Sequence, residues 1–241
     1  MWRLLSPTFR FFYGRLVVAD GIQIAIDGPS ASGKGTVSRA VASALGFTYL
    51  DSGALYRTVA LVGSKRGISL DDGVGLAALI SQTDVRVLYE KGRMDVLVNG
   101  APVGDAIRSE SMGQGASRVA KLPEVRQALL TLQRELAQEG GVVMDGRDIG
   151  TVVLVDAELK IYLTASVEAR AQRRHEEQLS RGIESDLKAV AEALTARDTQ
   201  DINRVHAPLK QAADASVVDS TGRSPEEVVA EIVGLARLRM A

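Results

Sequence analysis

The sequence predicts an α/β fold in which a parallel β-sheet is flanked by helices. Three observations predict it: short apolar segments of strand length recur along the chain, helical patterns follow them, and a glycine-rich turn joins the first strand to the first helix. This alternation is typical of parallel sheets, because parallel neighbours need a long crossover connection. At 241 residues, 46% of them hydrophobic, the chain can bury a sizeable core.

The turn after the first strand carries the most informative motif. Residues 24–27 are the strand, and the loop that follows consists of Gly28, Pro29, Ser30, Ala31, Ser32, Gly33, Lys34, Gly35 and Thr36. Its glycines permit a tight turn whose backbone N–H groups face an anion, and Lys34 adds a positive charge. The pattern G-x-x-x-x-G-K-[ST] is met through Lys34, although Gly35 stands where Ser or Thr is usual and the hydroxyl comes at Thr36. The loop predicts a P-loop NTPase-like fold that binds ATP phosphates, with Thr36 as a candidate Mg²⁺ ligand.

A helix is predicted over residues 36–45, because apolar side chains recur on one side of it. Its positive N-terminal end would face the same anion as the loop. The alternative is a glycine-rich turn that only connects a strand to a helix. The strand before, the helix after and the lysine in place favour the phosphate-binding interpretation.

Between about residues 63 and 104 the pattern changes. Residues 85–89 and 95–98 look like paired strands, and Asn99-Gly100 is typical of tight hairpin turns. We expect a small antiparallel meander inserted into the βα pattern.

Further buried strands are predicted at 142–144, 159–163 and 216–218, each followed by polar residues and a helical stretch. The last helix begins with Ser224 as N-cap, Pro225 in the first turn and Glu227 three residues after the cap.

Composition excludes several classes of function. The net charge of −1 argues against bulk attraction to nucleic acid or an acidic membrane surface. The absence of cysteine excludes disulfides and thiolate metal sites, and no apolar run has the length of a membrane span. We expect a cytoplasmic protein with neither nucleic-acid nor membrane partners. Residues 1–21 are basic and acid-free at their start and are interpreted as an N-terminal extension, with an organellar presequence as the alternative.

Charged residues cluster at two further places. Asp145 ends the strand at 142–144 and Arg147 follows it, at the sheet edge where ligands of α/β folds collect. Asp145 there could orient Mg²⁺ directly or through a water; a charged surface turn is the alternative. Arg197, Asp201 and Arg204 are spaced i, i+4 and i+7, which predicts one helical face, and a solvated ion-pair ladder is its alternative.

The chain resembles the bacterial-type cytidylate kinases over residues 22–239. The resemblance is carried by the loop at 28–36, by L-D-S-G-A-L-Y-R at 50–57, by D-G-R-D-I-G-T-V-V at 145–153, and by R-D at 197–198 with D-I-N-R at 201–204. It implies transfer of the γ-phosphoryl group of ATP to CMP or dCMP in pyrimidine nucleotide metabolism. It also implies one kinase domain at 22–241, with a core (22–62 and 142–241), a β-rich monophosphate-binding insertion (about 63–141) and a helical lid (about 167–200).

The resemblance further implies roles for individual residues. The catalytic set is Lys34, Arg147, Arg173, Arg174, Arg197 and Arg204, and Arg170 could share the role of the lid arginines. The acceptor would be bound by Ser52, Arg57, Ser117, Arg126, Arg147, Asp148, Asp201 and Arg204. Asp148 and Arg126 would distinguish cytosine from uracil, because uracil would leave an acceptor oxygen opposite the acid.

Two other functions stay open on the sequence. A kinase for UMP or AMP would use the same loop, and a non-catalytic nucleotide-binding switch would need the loop alone. The arginine clusters speak against the switch, since it needs no second phosphate site, and the Asn-Lys-x-Asp motif of GTPases does not occur. We expect a monomer.

Overall fold

The computed structural model describes residues 21–90 and 93–241. These residues form two compact units: Gly53–Gln133 is the smaller, and the larger joins residues 21–52 with Arg134–Ala241. The predicted extension at 1–21 lies outside the described residues except for Gly21. The predicted boundaries of core, insertion and lid stay predictions.

The strands and helices are bounded as follows. The strands are β1 (Gln23–Asp27), β2 (Thr48–Asp51), β3 (Val85–Glu90), β4 (Arg93–Val98), β5 (Ala101–Pro102), β6 (Val142–Gly146), β7 (Leu159–Thr164) and β8 (Ser216–Asp219). The helices are α1 (Lys34–Leu45), α2 (Ser52–Lys65), α3 (Gly73–Gln82), α4 (Glu110–Val119), α5 (Pro123–Ala137), α6 (Val167–Ser180), α7 (Leu187–Asn203) and α8 (Pro225–Met240).

The larger unit is built on a parallel sheet, as predicted. Its five strands lie in the order β2-β6-β1-β7-β8, and every neighbouring pair is parallel. Strands β1 and β6 are buried almost throughout, which is typical of a sheet covered on both faces. Because all five strands run the same way, their carboxyl ends meet at one edge.

Local signals explain where the helices of this unit begin and end. Helix α1 starts at Lys34, two residues earlier than predicted, and ends at Leu45. Gly46 caps it, with a φ of 71° in the left-handed region. Ser224 and Glu227 form the predicted capping box at the start of α8. The predicted helical stretch after β6 is only one π-helical turn, Ile149–Val153.

The smaller unit contains the predicted meander. Strands β3 and β4 are antiparallel, with Val85 opposite Val98, and β5 adds a short third strand. Asn99 and Gly100 both have positive φ, 51° and 79°, as the tight turn requires. Helices α3, α4 and α5 each contribute a buried side chain to its core, those of Leu76, Val119 and Leu129.

Over the stretches that the structure describes, no helix combines the length and apolar character needed to cross a membrane.

Candidate active site

Three neighbouring strands each carry an aspartate at, or one residue before, their carboxyl end. Asp51 of β2 is the register partner of Asp145 of β6, and Asp27 of β1 is the partner of Gly146. The glycine-rich loop leaves the same edge, directly after Asp27. The carboxyl edge of the sheet therefore holds both the loop and a row of acids, as expected of ligand sites in α/β folds.

The loop adopts a conformation that needs its glycines. A Cβ at Gly28 would overlap the carbonyl oxygen of Leu163 on β7. Gly33 has a φ of 91°, which side-chain-bearing residues rarely adopt, and it precedes the first residue of α1. Strand, loop and helix N-terminus thus follow one another as the sequence predicts.

Lys34 lies buried at the centre of the edge. Its Nζ donates to the carbonyl oxygen of Pro29 (2.6 Å) and to Ser32 Oγ (3.3 Å). Burial holds the pKa of Lys34 well below its usual value, and the positive charges of Arg147 and Arg197 lower it further. Asp145 and Asp27 act in the opposite direction. Three basic side chains therefore act on one another at this edge, and a bound anion would favour the charged form of all three.

The Asp145 carboxylate is influenced by a neighbouring acid, one hydroxyl donor and two basic side chains. Tyr49 Oη donates to its Oδ1 (3.0 Å). Burial raises the pKa of Asp145 to about 7, and the charge of Asp51 raises it too, while Lys34, the hydrogen bond from Tyr49 and Arg147 lower it. Two carboxylates side by side suit a hard divalent cation. Mg²⁺ in particular is commonly bound by one or two carboxylates together with phosphate oxygens. Thr36, the other predicted ligand, is exposed in the first turn of α1.

Asp27 organises the segment after β6, a role that the sequence analysis missed. Its two carboxylate oxygens accept the N–H groups of Ile149 and Gly150, both at 2.8 Å. Burial raises the pKa of Asp27 to about 6, against the lowering effect of these two hydrogen bonds. In the sequence, the only sign of this role was that Asp27 is an acid near the carboxyl end of a predicted strand, as Asp145 is.

Two ion pairs connect the segment after β6 to the end of α7. Arg147 Nε donates to Asp201 Oδ2 (2.9 Å), and Arg204 Nη2 donates to Asp148 Oδ1 (3.2 Å). The structure therefore brings these four predicted residues together in pairs. Arg197, on the same helix, is half-buried and acts electrostatically on Lys34.

The predicted helical face of Arg197, Asp201 and Arg204 is wrong at its last member. Helix α7 ends at Asn203, and Arg204 is extended, with ψ of 141°. Its Nε donates to the carbonyl oxygen of Ala207 (2.5 Å), a residue with a φ of 48°. Arg204 reaches the site from the turn after the helix.

The predicted lid arginines on α6 have different surroundings. Arg173 donates to Ser220 Oγ (3.0 Å) and to the Ser220 carbonyl oxygen (2.6 Å). Arg174 forms a half-exposed pair with Glu177 at 3.0 Å. Arg170, expected to share their role, is instead buried and paired with Asp198 of α7.

The predicted acceptor residues are divided between the units. Ser52 belongs to the larger unit, where its hydroxyl donates to the Asp145 carbonyl oxygen (2.7 Å). Within the smaller unit, Arg57 on α2 and Ser117 on α4 are half-buried. The Arg126 guanidinium lies 5.7 Å from the ring centre of Tyr56 and donates to the Ala120 carbonyl oxygen (3.2 Å).

Comparison with known proteins places these residues in a family context. A family model described as cytidylate kinase matches residues 24–238. The cytidylate kinase of Exiguobacterium sibiricum is 46% identical over 215 residues, which are 89% of this chain and 96% of that protein. The cytidylate kinase of Pasteurella multocida is 46% identical over 214 residues, 89% of this chain and 94% of that protein.

Among solved structures, an uncharacterized protein from Eubacterium ventriosum is similar in fold. Its TM-score is 0.52 at 11% identity, over 90% of this chain and 98% of that chain. At this identity the likeness concerns the fold alone.

Proposed function

The chain belongs to the cytidylate kinase family, and from that premise we propose how its residues carry out the reaction. The enzyme transfers the γ-phosphoryl group of ATP to CMP or dCMP, giving ADP and CDP or dCDP.

The reaction sets a clear chemical demand. The attacking oxygen belongs to a phosphate and is already anionic near neutral pH, so no dedicated general base is needed. The enzyme must neutralise charge, align donor and acceptor, and exclude water. The observation that carries the proposal is the convergence of Lys34, Arg147 and Arg197 at the carboxyl edge of the sheet, which meets the first demand.

On the donor side, we propose that residues 28–36 bind the ATP phosphates. Backbone N–H groups of the loop and the N-terminus of α1 would contact phosphate oxygens, and Lys34 would supply the charge. A bound phosphate would also stabilise the charged form of Lys34, which burial disfavours.

On the acceptor side, we propose that Arg147, Arg204 and Arg57 bind phosphate groups. Arg197 would act with them on the transferred group, and Asp201 would accept hydrogen bonds from the acceptor ribose. The pairing of Arg147 with Asp201 supports this assignment, because one carboxylate then orients a phosphate-binding arginine and still has an oxygen to offer.

Recognition of the base is assigned from the family resemblance. Asp148 would accept a hydrogen bond from the exocyclic amine of cytosine, and Arg126 would donate to the acceptor atoms of the base. Ser52 and Ser117 would also contact the base.

Arg173 and Arg174 would bring positive charge to the ATP phosphates from the lid.

The metal proposal rests on the paired acids. Asp145, with Asp51 beside it, would hold Mg²⁺ directly or through a water, and Thr36 would offer its hydroxyl. When bound, the ion neutralises charge on the ATP phosphates. The protein groups orient and hold the ion, and Tyr49 fixes the Asp145 carboxylate through its hydrogen bond.

We propose a monomer acting in the cytoplasm. The absence of cysteine is compatible with a reducing compartment. Light scattering of the purified chain would test the assembly: a dimer at micromolar concentration would contradict it.

The experiment is a coupled assay of ADP release with ATP and Mg²⁺, run in parallel with CMP, dCMP, UMP and AMP. We expect strong turnover with the cytidine nucleotides alone. Preference for UMP or AMP would keep the kinase but contradict the base-recognition assignment. ATP binding without acceptor-dependent turnover would favour the nucleotide-binding switch.

A further inference from the structure

A buried ion pair holds the phosphate-binding loop from behind. Arg170 of α6 and Asp198 of α7 are both buried and paired with each other. Asp198 Oδ1 accepts the N–H of Ser30 (3.0 Å), and Arg170 Nη1 donates to the carbonyl oxygen of Ser30 (3.1 Å). The pair therefore binds both polar backbone groups of one loop residue.

Arg170 is itself fixed in place. Its Nε donates to the carbonyl oxygen of Ala165, which lies between β7 and α6. Val190, Leu194 and Ala171 form a small apolar cluster between the two helices, and Ala31 of the loop packs against it. The loop thus contacts both helices through apolar and polar groups.

We call Arg170 and Asp198, bound to the Ser30 backbone, the clamp. The geometry of the peptide unit connects the clamp to ATP binding. In a trans peptide the carbonyl oxygen and the N–H point in opposite directions. Because Arg170 holds the Ser30 carbonyl, the N–H of Ala31 faces away from the clamp. Ser220 Oγ lies 3.2 Å from the Ser32 carbonyl oxygen, so the N–H of Gly33 is turned away from that side in the same manner.

Ala31 gives independent evidence that the loop is held under constraint. Its φ of 58° lies in the left-handed region, which is uncommon for a residue with a Cβ. Such a conformation persists where the surroundings over-determine it. The clamp on the peptide immediately before Ala31 supplies that constraint.

A role in stability alone is a weak explanation for the pair. Removing two charges from water costs free energy, and well-packed apolar residues often stabilise a fold as well or better. Asp198 also directly follows Arg197, so fixing Asp198 fixes the backbone from which Arg197 extends.

We propose that Arg170 and Asp198 are positioning residues of the phosphate-binding loop. They contact neither substrate; they hold the Ser30 peptide so that the following N–H groups face the ATP phosphates. The proposal rests on the proposed function of the loop and assigns to α6 and α7 a part in ATP binding beyond that of a lid.

The test compares Arg170→Leu, Asp198→Asn and the double variant, with ATP affinity measured by calorimetry and KM measured for both substrates. Arg170→Leu should weaken ATP binding by about tenfold or more, the equivalent of one good hydrogen bond, while KM for CMP changes by less than about twofold. Asp198→Asn keeps an oxygen that accepts the Ser30 N–H, so it should weaken ATP binding less, by removing only the charge that holds Arg170. Ile232→Val, which removes a buried methyl group from α8, is the control for a loss of stability alone.

The double variant separates positioning from folding. It removes both charges, so it should recover thermal stability relative to the single variants, while ATP binding stays weak because the Ser30 carbonyl is no longer held. Recovery of ATP affinity together with stability would overturn the proposal, as would unchanged affinity in a folded Arg170→Leu variant. Because calorimetry needs no turnover, the result is independent of whether CMP is the acceptor.

Discussion

The two units of the chain differ in whether they bury charged side chains. Among its described residues, the larger unit buries eight that are charged: Asp27, Lys34, Asp145, Asp148, Lys160, Arg170, Asp198 and Asp201. Among the described residues of the smaller unit, the buried polar side chains are Thr58, Thr83 and Gln133, and none of them is charged. Its ion pairs, such as Arg118 with Asp71 at 2.5 Å, lie on the surface.

The difference indicates what the buried charges are for. An isolated buried charge costs far more than an exposed one, so burial is tolerated where partners and function require it. Seven of the eight lie on the segments that form the carboxyl edge of the sheet or hold the loop, with Lys160 as the exception, paired with Asp214. Surface ion pairs contribute little to stability, so those of the smaller unit can be replaced by uncharged residues with little loss of stability.

The largest effect should come from Arg147. Arg147→Ala removes a positive charge from the site of transfer, so kcat should fall by about 10²- to 10³-fold while ATP affinity stays nearly intact. Steady-state kinetics with CMP and calorimetry with ATP would measure the two effects.

The matched control is Arg108→Ala in the smaller unit, where the arginine forms an exposed pair with Asp105. We expect its kcat to equal that of the unchanged protein. An unchanged rate in Arg147→Ala would contradict the assigned role and the distinction between the two kinds of charge.

Asp27 provides a test of the cost of burial. Its pKa is raised from 3.8 to about 6, so between these values the folded state binds more protons than the unfolded state. The contribution of Asp27 to stability is therefore present at low pH and is lost as pH rises from about 4 to about 6, by about 3 kcal/mol in total. Nearby, Asp148 raises this pKa and Lys34 lowers it.

The measurement is urea unfolding of the protein and of Asp27→Asn at several pH values between 4 and 7. The free energy of unfolding of the unchanged protein, relative to the variant, should fall as pH rises. If it rises instead, the hydrogen bonds from Ile149 and Gly150 outweigh burial.

Most of the fold could be predicted from the sequence, because its signals are local. The strands, the loop, the hairpin turn at Asn99-Gly100 and the capping box at Ser224 each depend on residues within a few positions of one another. The clamp could not be predicted, since Ser30 and Asp198 are 168 residues apart and no pattern links them. Arg204 was misplaced because helical spacing alone does not reveal where a helix ends; Pro208, four residues later, was the available signal.

Arg126 tests the smaller unit where a ligand role is proposed. Arg126→Met keeps an unbranched side chain beside Tyr56 and removes both the guanidinium–ring contact and the donors proposed for cytosine. We expect the ratio of kcat/KM for CMP over UMP to fall by about tenfold or more. An unchanged ratio, with both rates lowered equally, would limit Arg126 to a structural role.

The smallest effect should come from the Asp71–Arg118 pair, whose side chains are 69% and 51% exposed. Hydrogen bonding to Arg118 lowers the pKa of Asp71, yet solvent and salt screen an exposed pair strongly. Asp71→Asn and Arg118→Gln, singly and together, should leave kcat unchanged and shift Tm by less than about 2 °C. A double-mutant cycle in thermal unfolding, at low and high salt, would measure the coupling. A large coupling that persists at high salt would mean that the smaller unit also relies on fixed charge, and the contrast between the units would fail.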